Sequence, residues 1–170
     1  MFSIVRQAVP ADALLKTYRG GAHPDRWESY ADCFAIIVDR DVSLSEFVFA
    51  FYTSALFRIE RFMLRVVCGT PSSQSDTRAL ADASAVEFAV WYVGERTATQ
   101  LLMCDRYERT RSWFRVEPMH GGKTRLQFGS AVASTNGASA AAPAGRFSAL
   151  LRFHILYSQL LLHAATVDFR

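Results

Sequence analysis

The strongest constraint on the fold is a series of four strand-like runs separated by short turns. The runs cover residues 87–95, 99–105, 110–117 and 123–132. Connections this short join antiparallel neighbours, and Gly121-Gly122 supplies the turn between the last two runs. Within the first run, Phe88 and Tyr92 are spaced to share one face. The pattern therefore predicts an antiparallel sheet in the second half of the chain.

A further strand is predicted ahead of these runs. Residues 31–38 are dense in apolar and β-branched side chains, and the run ends at Asp39. A short apolar run bounded by polar residues is typical of a buried strand. We count five strands in total.

Two short helices are predicted after this first strand. Ser43 and Glu46 have the spacing of a capping box, in which each residue hydrogen-bonds the backbone of the other, and it opens a helix over residues 47–52. Thr53-Ser54 interrupts the pattern before a second helix over residues 55–67. That helix has an apolar face and an opposite, solvated stripe of Arg58, Arg61 and Arg65. Residues 69–84 are predicted to be a loop with one helical turn over 77–83.

The longest helical pattern closes the chain. It covers residues 147–166 and follows an Ala/Ser/Gly-rich loop over residues 133–145. Its apolar arc is too wide for a surface helix, so we expect the sheet to enclose it. Strands linked by hairpins, with the helices segregated from them, define an α+β fold.

The length of 170 residues fits one domain. Residues 1–28 are weakly patterned, with a short helical turn possible over 11–18, and we interpret them as an amino-terminal arm. Residues 29–170 form the domain itself.

This order of elements resembles the helix-grip fold of the START, polyketide-cyclase and birch-pollen-allergen superfamily. The resemblance covers roughly residues 32–166, and the runs 51–57, 105–113 and 128–132 also resemble an uncharacterised bacterial domain family associated with that superfamily. It implies a curved antiparallel sheet around the long carboxy-terminal helix, with an apolar ligand held between them. Members with six or seven strands are larger, so five strands imply a small or filled cavity.

Composition and motifs exclude several classes of function. The net charge of +3 is small for a nucleic-acid-binding protein, and the three cysteines have no zinc or redox spacing. We find no phosphate-binding loop, nucleophile elbow or metal-ligand spacing, so no cofactor and no metal are expected. No signal-peptide core or run of eighteen apolar residues occurs, and we expect a cytoplasmic protein that does not insert into membranes.

Aromatic side chains make up 13% of the chain, and several of them fall where a cavity would be. Aromatic walls suit planar or apolar ligands, although they also fill ordinary cores. The candidate ligand-binding residues of this kind are Trp91, Tyr92, Trp113, Phe128 and Tyr157.

Three polar residues complete the candidate site. His154 lies on the inward side of the terminal helix, where it is either a ligand contact or a satisfied core imidazole. Asp105 and Arg111 lie on neighbouring strands, where an ion pair would either orient a polar ligand group or serve stability alone.

Three hypotheses of function follow. The leading one is a non-catalytic domain that binds an apolar or aromatic small molecule between the sheet and the terminal helix. The second is a cyclase-like or dehydratase-like enzyme in which Asp105, His154 or Tyr157 transfers protons. The third is an interaction domain that forms a homodimer.

Overall fold

The computed structural model describes residues 4–21, 30–58, 73–133 and 157–169. Seven strands form one antiparallel sheet in this part of the chain, in the order β1-β2-β7-β6-β5-β4-β3. In chain order they are β1 (Val5–Arg6), β2 (Tyr30–Val38), β3 (Glu87–Phe88), β4 (Trp91–Arg96), β5 (Gln100–Asp105), β6 (Thr110–Met119) and β7 (Lys123–Val132). The α+β class and the antiparallel sheet are therefore confirmed.

The helices lie in three regions of the described chain. Helix α1 (Leu14–Thr17) follows β1, whereas α2 (Leu44–Thr53) and α3 (Gln74–Ala81) lie between β2 and β3. Residues 55–58 and 157–166 are also helical, and a 3-10 turn, Val167–Phe169, ends the described chain. The remainder of the predicted second helix, with Arg61 and Arg65, lies outside the described residues, as does the first half of the terminal helix.

The predicted count of five strands is wrong, for two reasons. The first is β1, which lies in the segment predicted to be an arm and pairs with Ala35 and Phe34 of β2. The second is a break in the run 87–95 at Ala89, whose φ of 53° is left-handed and turns the chain between β3 and β4. An extended strand cannot pass through that conformation.

The predicted capping box of α2 is confirmed. The Ser43 hydroxyl accepts the amide of Glu46 at 3.2 Å, and the Glu46 carboxylate accepts the amide of Ser43 at 2.8 Å. Helix α2 ends at Thr53, as its sequence indicates. Helix α3 is longer than the predicted single turn, because Ser73 and Asp76 form a second capping box that starts it at Gln74.

The sheet separates two apolar layers, because successive side chains of a strand point to opposite faces. On the inner face, α2, α3 and the terminal helix cover a core that includes Phe47, Phe51, Phe114, Leu126 and Leu162. On the outer face, the segment that contains α1 covers a smaller cluster that includes Leu14, Leu15, Cys33, Cys104 and Trp113. The terminal helix therefore packs against the inner face of the sheet.

Candidate functional site

The inner face of the sheet changes from apolar to polar along the strands. The register aligns Phe34 of β2 with Phe128 of β7 and Phe114 of β6 in one apolar row. Two residues further along the strands, the equivalent row consists of Asp32, Ser130 and Ser112. Residues directly opposite each other in antiparallel strands share a face, so these three polar side chains lie together on the inner face.

A cavity of about 200 Å³ lies where this polar row meets the terminal helix. It is bordered by the sheet, by residues within 51–57 and by the start of the described terminal helix, and it is partly open to solvent. Its lining residues are Phe51, Tyr52, Phe57, Trp91, Thr110, Arg111, Ser112, Phe128, Ser130, Tyr157, Ser158 and Leu161.

Aromatic rings form most of the cavity wall. The ring centroids of Phe51 and Phe128 are 4.7 Å apart, as are those of Tyr52 and Phe57. Trp91 extends this wall, with its ring centroid 6.1 Å from that of Phe57. Tilted and edge-to-face contacts at these separations are favourable, so the contacts between the rings stabilise the wall.

Six hydroxyl-bearing residues line the same cavity, namely Tyr52, Thr110, Ser112, Ser130, Tyr157 and Ser158. The hydroxyls of the serines and the threonine differ in their bonding. Thr110 donates its hydroxyl proton to the Asp105 carboxylate at 2.9 Å, and Ser130 donates its proton to Asp32 at 2.7 Å. The hydroxyls of Ser112 and Ser158 form no hydrogen bond with any described residue. Ser158 is only 2% exposed. Ser112 is half-buried. A hydroxyl that is not engaged by the described residues can donate or accept a hydrogen bond, so these two groups can bind a polar atom inside the cavity.

Asp32, which the sequence reasoning missed, holds Ser130 of the cavity lining in place. It is 2% exposed, and its carboxylate accepts the Ser130 amide at 3.0 Å in addition to the Ser130 hydroxyl. The Tyr30 hydroxyl donates to the other carboxylate oxygen at 2.9 Å. Burial, together with this bond to Asp32, raises the pKa of Tyr30. An acid within an apolar strand was the available signal, because a buried charge requires several hydrogen-bond donors.

Asp105 stabilises the β5–β6 hairpin. Its carboxylate accepts the amides of Tyr107 at 2.6 Å, Arg109 at 3.0 Å and Thr110 at 2.6 Å, as well as the Thr110 hydroxyl. A carboxylate that accepts successive backbone amides fixes a turn in the way an Asx turn does. The environment of Asp105 thus favours a structural role beside the cavity.

The structure does not bring Arg111 and Asp105 together. Arg111 is paired with Cys104, one residue before Asp105, so the two side chains leave opposite faces of the sheet. On the outer face, the Arg111 guanidinium donates to the Gly20 carbonyl at 2.9 Å and lies 4.9 Å from the ring centroid of Tyr18. Arg111 therefore fastens the amino-terminal segment to the sheet.

The other predicted site residues divide between the two faces. Trp91, Phe128 and Tyr157 line the cavity. Tyr92 and Trp113 belong to the outer cluster, because the break at Ala89 and the register of β6 direct them away from the cavity. His154 lies outside the described residues.

The described residues contain neither a metal-binding cluster nor a membrane-spanning helix. No group of three or more His, Cys, Asp or Glu side chains is arranged to hold a metal ion in the described ranges. Within the same part of the chain, no helix is long and apolar enough to cross a membrane.

The fold and site define an α+β protein with a small, largely aromatic cavity beneath its terminal helix. Comparison with solved structures finds a match to EF2215, a conserved protein of unknown function from Enterococcus faecalis, with a TM-score of 0.38 and 11% sequence identity. The match covers 84% of this chain and 74% of the other. No family model matches the sequence, and no curated protein shows significant similarity to it.

Proposed function

We propose that this protein binds an apolar or aromatic small molecule in the cavity between the sheet and the terminal helix. The observation that carries the proposal is the cavity itself, because aromatic rings form its walls and hydroxyl groups lie among them. Small-molecule sites have this composition: a mostly apolar lining with a few placed polar groups.

The cavity volume limits the size of the ligand. An apolar cavity of about 150 Å³ accepts benzene, whereas drug-sized ligands occupy roughly 300–1,000 Å³. A volume of about 200 Å³ therefore suits one substituted ring or an aliphatic compound of similar size. Larger lipids and multi-ring compounds are too big for it.

We further propose that the architecture is a helix-grip fold. Support comes from the element order, in which β2 is followed by helices, then by the antiparallel strands β3 to β7, and finally by a helix that packs on the inner face. In this arrangement β2 pairs with β7 along its whole length, from Tyr30 opposite Val132 to Val38 opposite Thr124. The short β1 is an addition at the β2 edge of the sheet.

A thermal-shift screen combined with native mass spectrometry tests the binding proposal. Single-ring aromatic compounds at ten times their Kd stabilise the native state by about 1.4 kcal/mol. For a chain of this length, that free energy corresponds to an increase in Tm of about 3–6 °C. Two-ring and sterol-sized compounds are expected to give no shift.

A cavity-filling variant makes the test specific. Ser158→Leu places three additional carbon atoms in the cavity, and we expect it to abolish the shifts while the protein remains folded. Ser84→Leu is the matched control, because Ser84 is exposed and lies outside the cavity. Equal shifts in the wild type and in Ser158→Leu would place the ligand elsewhere and overturn the proposal.

The other two hypotheses stay predictions. An enzyme that uses Asp105, His154 or Tyr157 requires that Asp105→Asn, His154→Ala or Tyr157→Phe reduce turnover of a bound substrate. A homodimer requires a doubled mass in size-exclusion chromatography with light scattering. Neither hypothesis has a specific contact among the described residues that favours it over ligand binding.

A further inference from the structure

We infer that the cavity selects a neutral, single-ring aromatic compound that carries a hydroxyl group, which is the chemistry of a simple phenol or benzyl alcohol. This inference rests on the proposed function and adds the polarity and charge of the ligand to it. The evidence for it is the charge of the side chains that line the cavity and the hydrogen bonds that their hydroxyl groups form.

The charge of the lining indicates that the ligand is neutral. Arg111 is the one charged residue among the described residues of the lining, and its side chain leaves the outer face of the sheet. The nearby Asp32 and Asp105 carboxylates are held by hydrogen bonds within the protein. No described side chain of the lining therefore offers a counter-charge toward the cavity, and a charged ligand would give up part of its hydration there without compensation.

The bonding of the hydroxyls indicates that the ligand carries both a donor and an acceptor. The Thr110 proton is committed to Asp105, so toward the cavity this oxygen only accepts. The Ser112 and Ser158 hydroxyls have no partner in the described chain, so each can donate or accept. A ligand hydroxyl satisfies both kinds of group at once, whereas a ketone or an ether offers only an acceptor.

The arrangement of the walls orients the ligand. Ser112 lies on β6 in the polar row of the sheet, and Ser158 lies on the terminal helix that covers it. The aromatic wall of Phe57, Trp91 and Phe128 borders the same cavity. The ligand ring packs against this wall, and its hydroxyl is directed between the two serines.

A set of matched compounds tests this inference on the full chain. Phenol and toluene have nearly the same shape and differ in the hydroxyl. Binding constants are measured by NMR titration of the protein. A net hydrogen bond in a protein corresponds to about 3- to 10-fold in affinity, and we expect phenol to bind more tightly than toluene by that factor. Benzyl alcohol should bind, whereas benzylamine and benzoate, which are charged at pH 7, should show no binding at ten times the Kd of phenol.

The double variant Ser112→Ala/Ser158→Ala assigns the effect to the two hydroxyls. Its affinity for phenol should fall to within about twofold of its affinity for toluene, and its affinity for toluene should match that of the wild type. Ser84→Ala is the control and should keep the preference for phenol.

The outcomes separate this inference from the proposed function. If toluene binds as tightly as phenol to the wild type, or if benzoate or benzylamine binds as tightly as phenol, the inference is overturned and cavity binding stands. If no compound of the set binds, including toluene, both are overturned. The affinities of the wild type for phenol, toluene and the charged compounds test the inference even if the double variant fails to fold.

Discussion

The side-chain oxygen of Gln100 accepts a hydrogen bond of 2.8 Å from the indole nitrogen of Trp113, on the face of the sheet opposite the cavity. The same oxygen accepts the backbone amide of Leu14, the first residue of α1, at 3.0 Å. The Gln100 amide nitrogen also donates to the carbonyl of Asp12 at 3.3 Å. One side chain thus joins the amino-terminal segment to the middle of the sheet.

Replacing Gln100 should therefore destabilise the fold strongly. Gln100→Leu leaves the buried Trp113 and Leu14 donors without an acceptor, and each unsatisfied donor costs about 1–3 kcal/mol. We expect the free energy of unfolding to fall by about 2–5 kcal/mol in urea denaturation. The control Gln74→Leu changes an exposed glutamine. Similar losses in the two variants would show that the bonds of Gln100 contribute nothing.

Gly129 should not tolerate a methyl group. A Cβ atom at this position would lie 2.8 Å from the backbone oxygen of Asp32 and 3.0 Å from the ring of Trp113. Overpacking of this kind costs roughly 1–3 kcal/mol, so Gly129→Ala should lower Tm by several degrees. At Gly122 a Cβ would meet nothing within 4 Å, and its φ of +67° is one that asparagine tolerates. We expect Gly122→Asn to have a calorimetric Tm close to that of the wild type. That result would show that the loss in Gly129→Ala comes from the lack of space for the added methyl group.

Arg96 caps the carboxy-terminal end of α3. Its guanidinium donates to the carbonyls of Leu80 at 2.8 Å and of Ala81 at 2.6 Å. A cation at this end of a helix also interacts favourably with the helix dipole. Arg96→Leu should lower the free energy of unfolding by about 1–3 kcal/mol, because hydrogen bonds to charged groups are the stronger ones. Arg109→Leu removes an exposed arginine and should change it by less than about 0.5 kcal/mol.

Stability should fall in alkaline solution. Burial raises the pKa of the Cys33 thiol from 9.0 to about 11, and burial raises that of Tyr92 from 10.0 to about 12. Folding thus favours the neutral forms. The contribution of Cys33 is complete below pH 9 and is lost as the pH rises through 11, and that of Tyr92 is lost between pH 10 and 12.

The measurement is Tm as a function of pH between 7 and 11. Cys33→Ala should flatten the decline above pH 9, although the smaller side chain lowers Tm at every pH. Tyr107→Phe, which changes an exposed tyrosine, should leave the shape of the curve unaltered. A wild-type Tm that is constant from pH 8 to pH 11 would contradict the assignment.

Local sequence signals predicted much of the fold. The Ser43–Glu46 capping box fixes the start of α2, and Gly121-Gly122 fixes the β6–β7 turn with positive φ values of 78° and 67°. These features depend on residues within four positions of one another. The Ser73–Asp76 box is a second local signal of this kind, and it fixes the start of α3 at Gln74.

The site was less predictable, because its geometry depends on strand register. Two of the aromatic residues predicted to bind a ligand, Trp91 and Phe128, line the cavity, and their role in binding stays a prediction. Aromatic content alone does not predict that Trp113 packs in the outer cluster. The face on which a side chain lies depends on the strand register, and a shift of the register by one residue moves every side chain of the strand to the other face. The left-handed Ala89 illustrates the difficulty, because alanine carries no turn signal and its conformation is imposed by the surroundings.

The sequence by itself determined the α+β class, the buried β2 and the succession of hairpin strands, because periodicity and capping act between neighbours in the chain. Only the tertiary structure decided which face each side chain joins. It aligned Asp32, Ser130 and Ser112 from three strands in one row, and it placed Ser158 among the residues that line the same cavity. These alignments join residues far apart in the chain, and they are fixed by the burial of one face of the whole sheet rather than by any local preference.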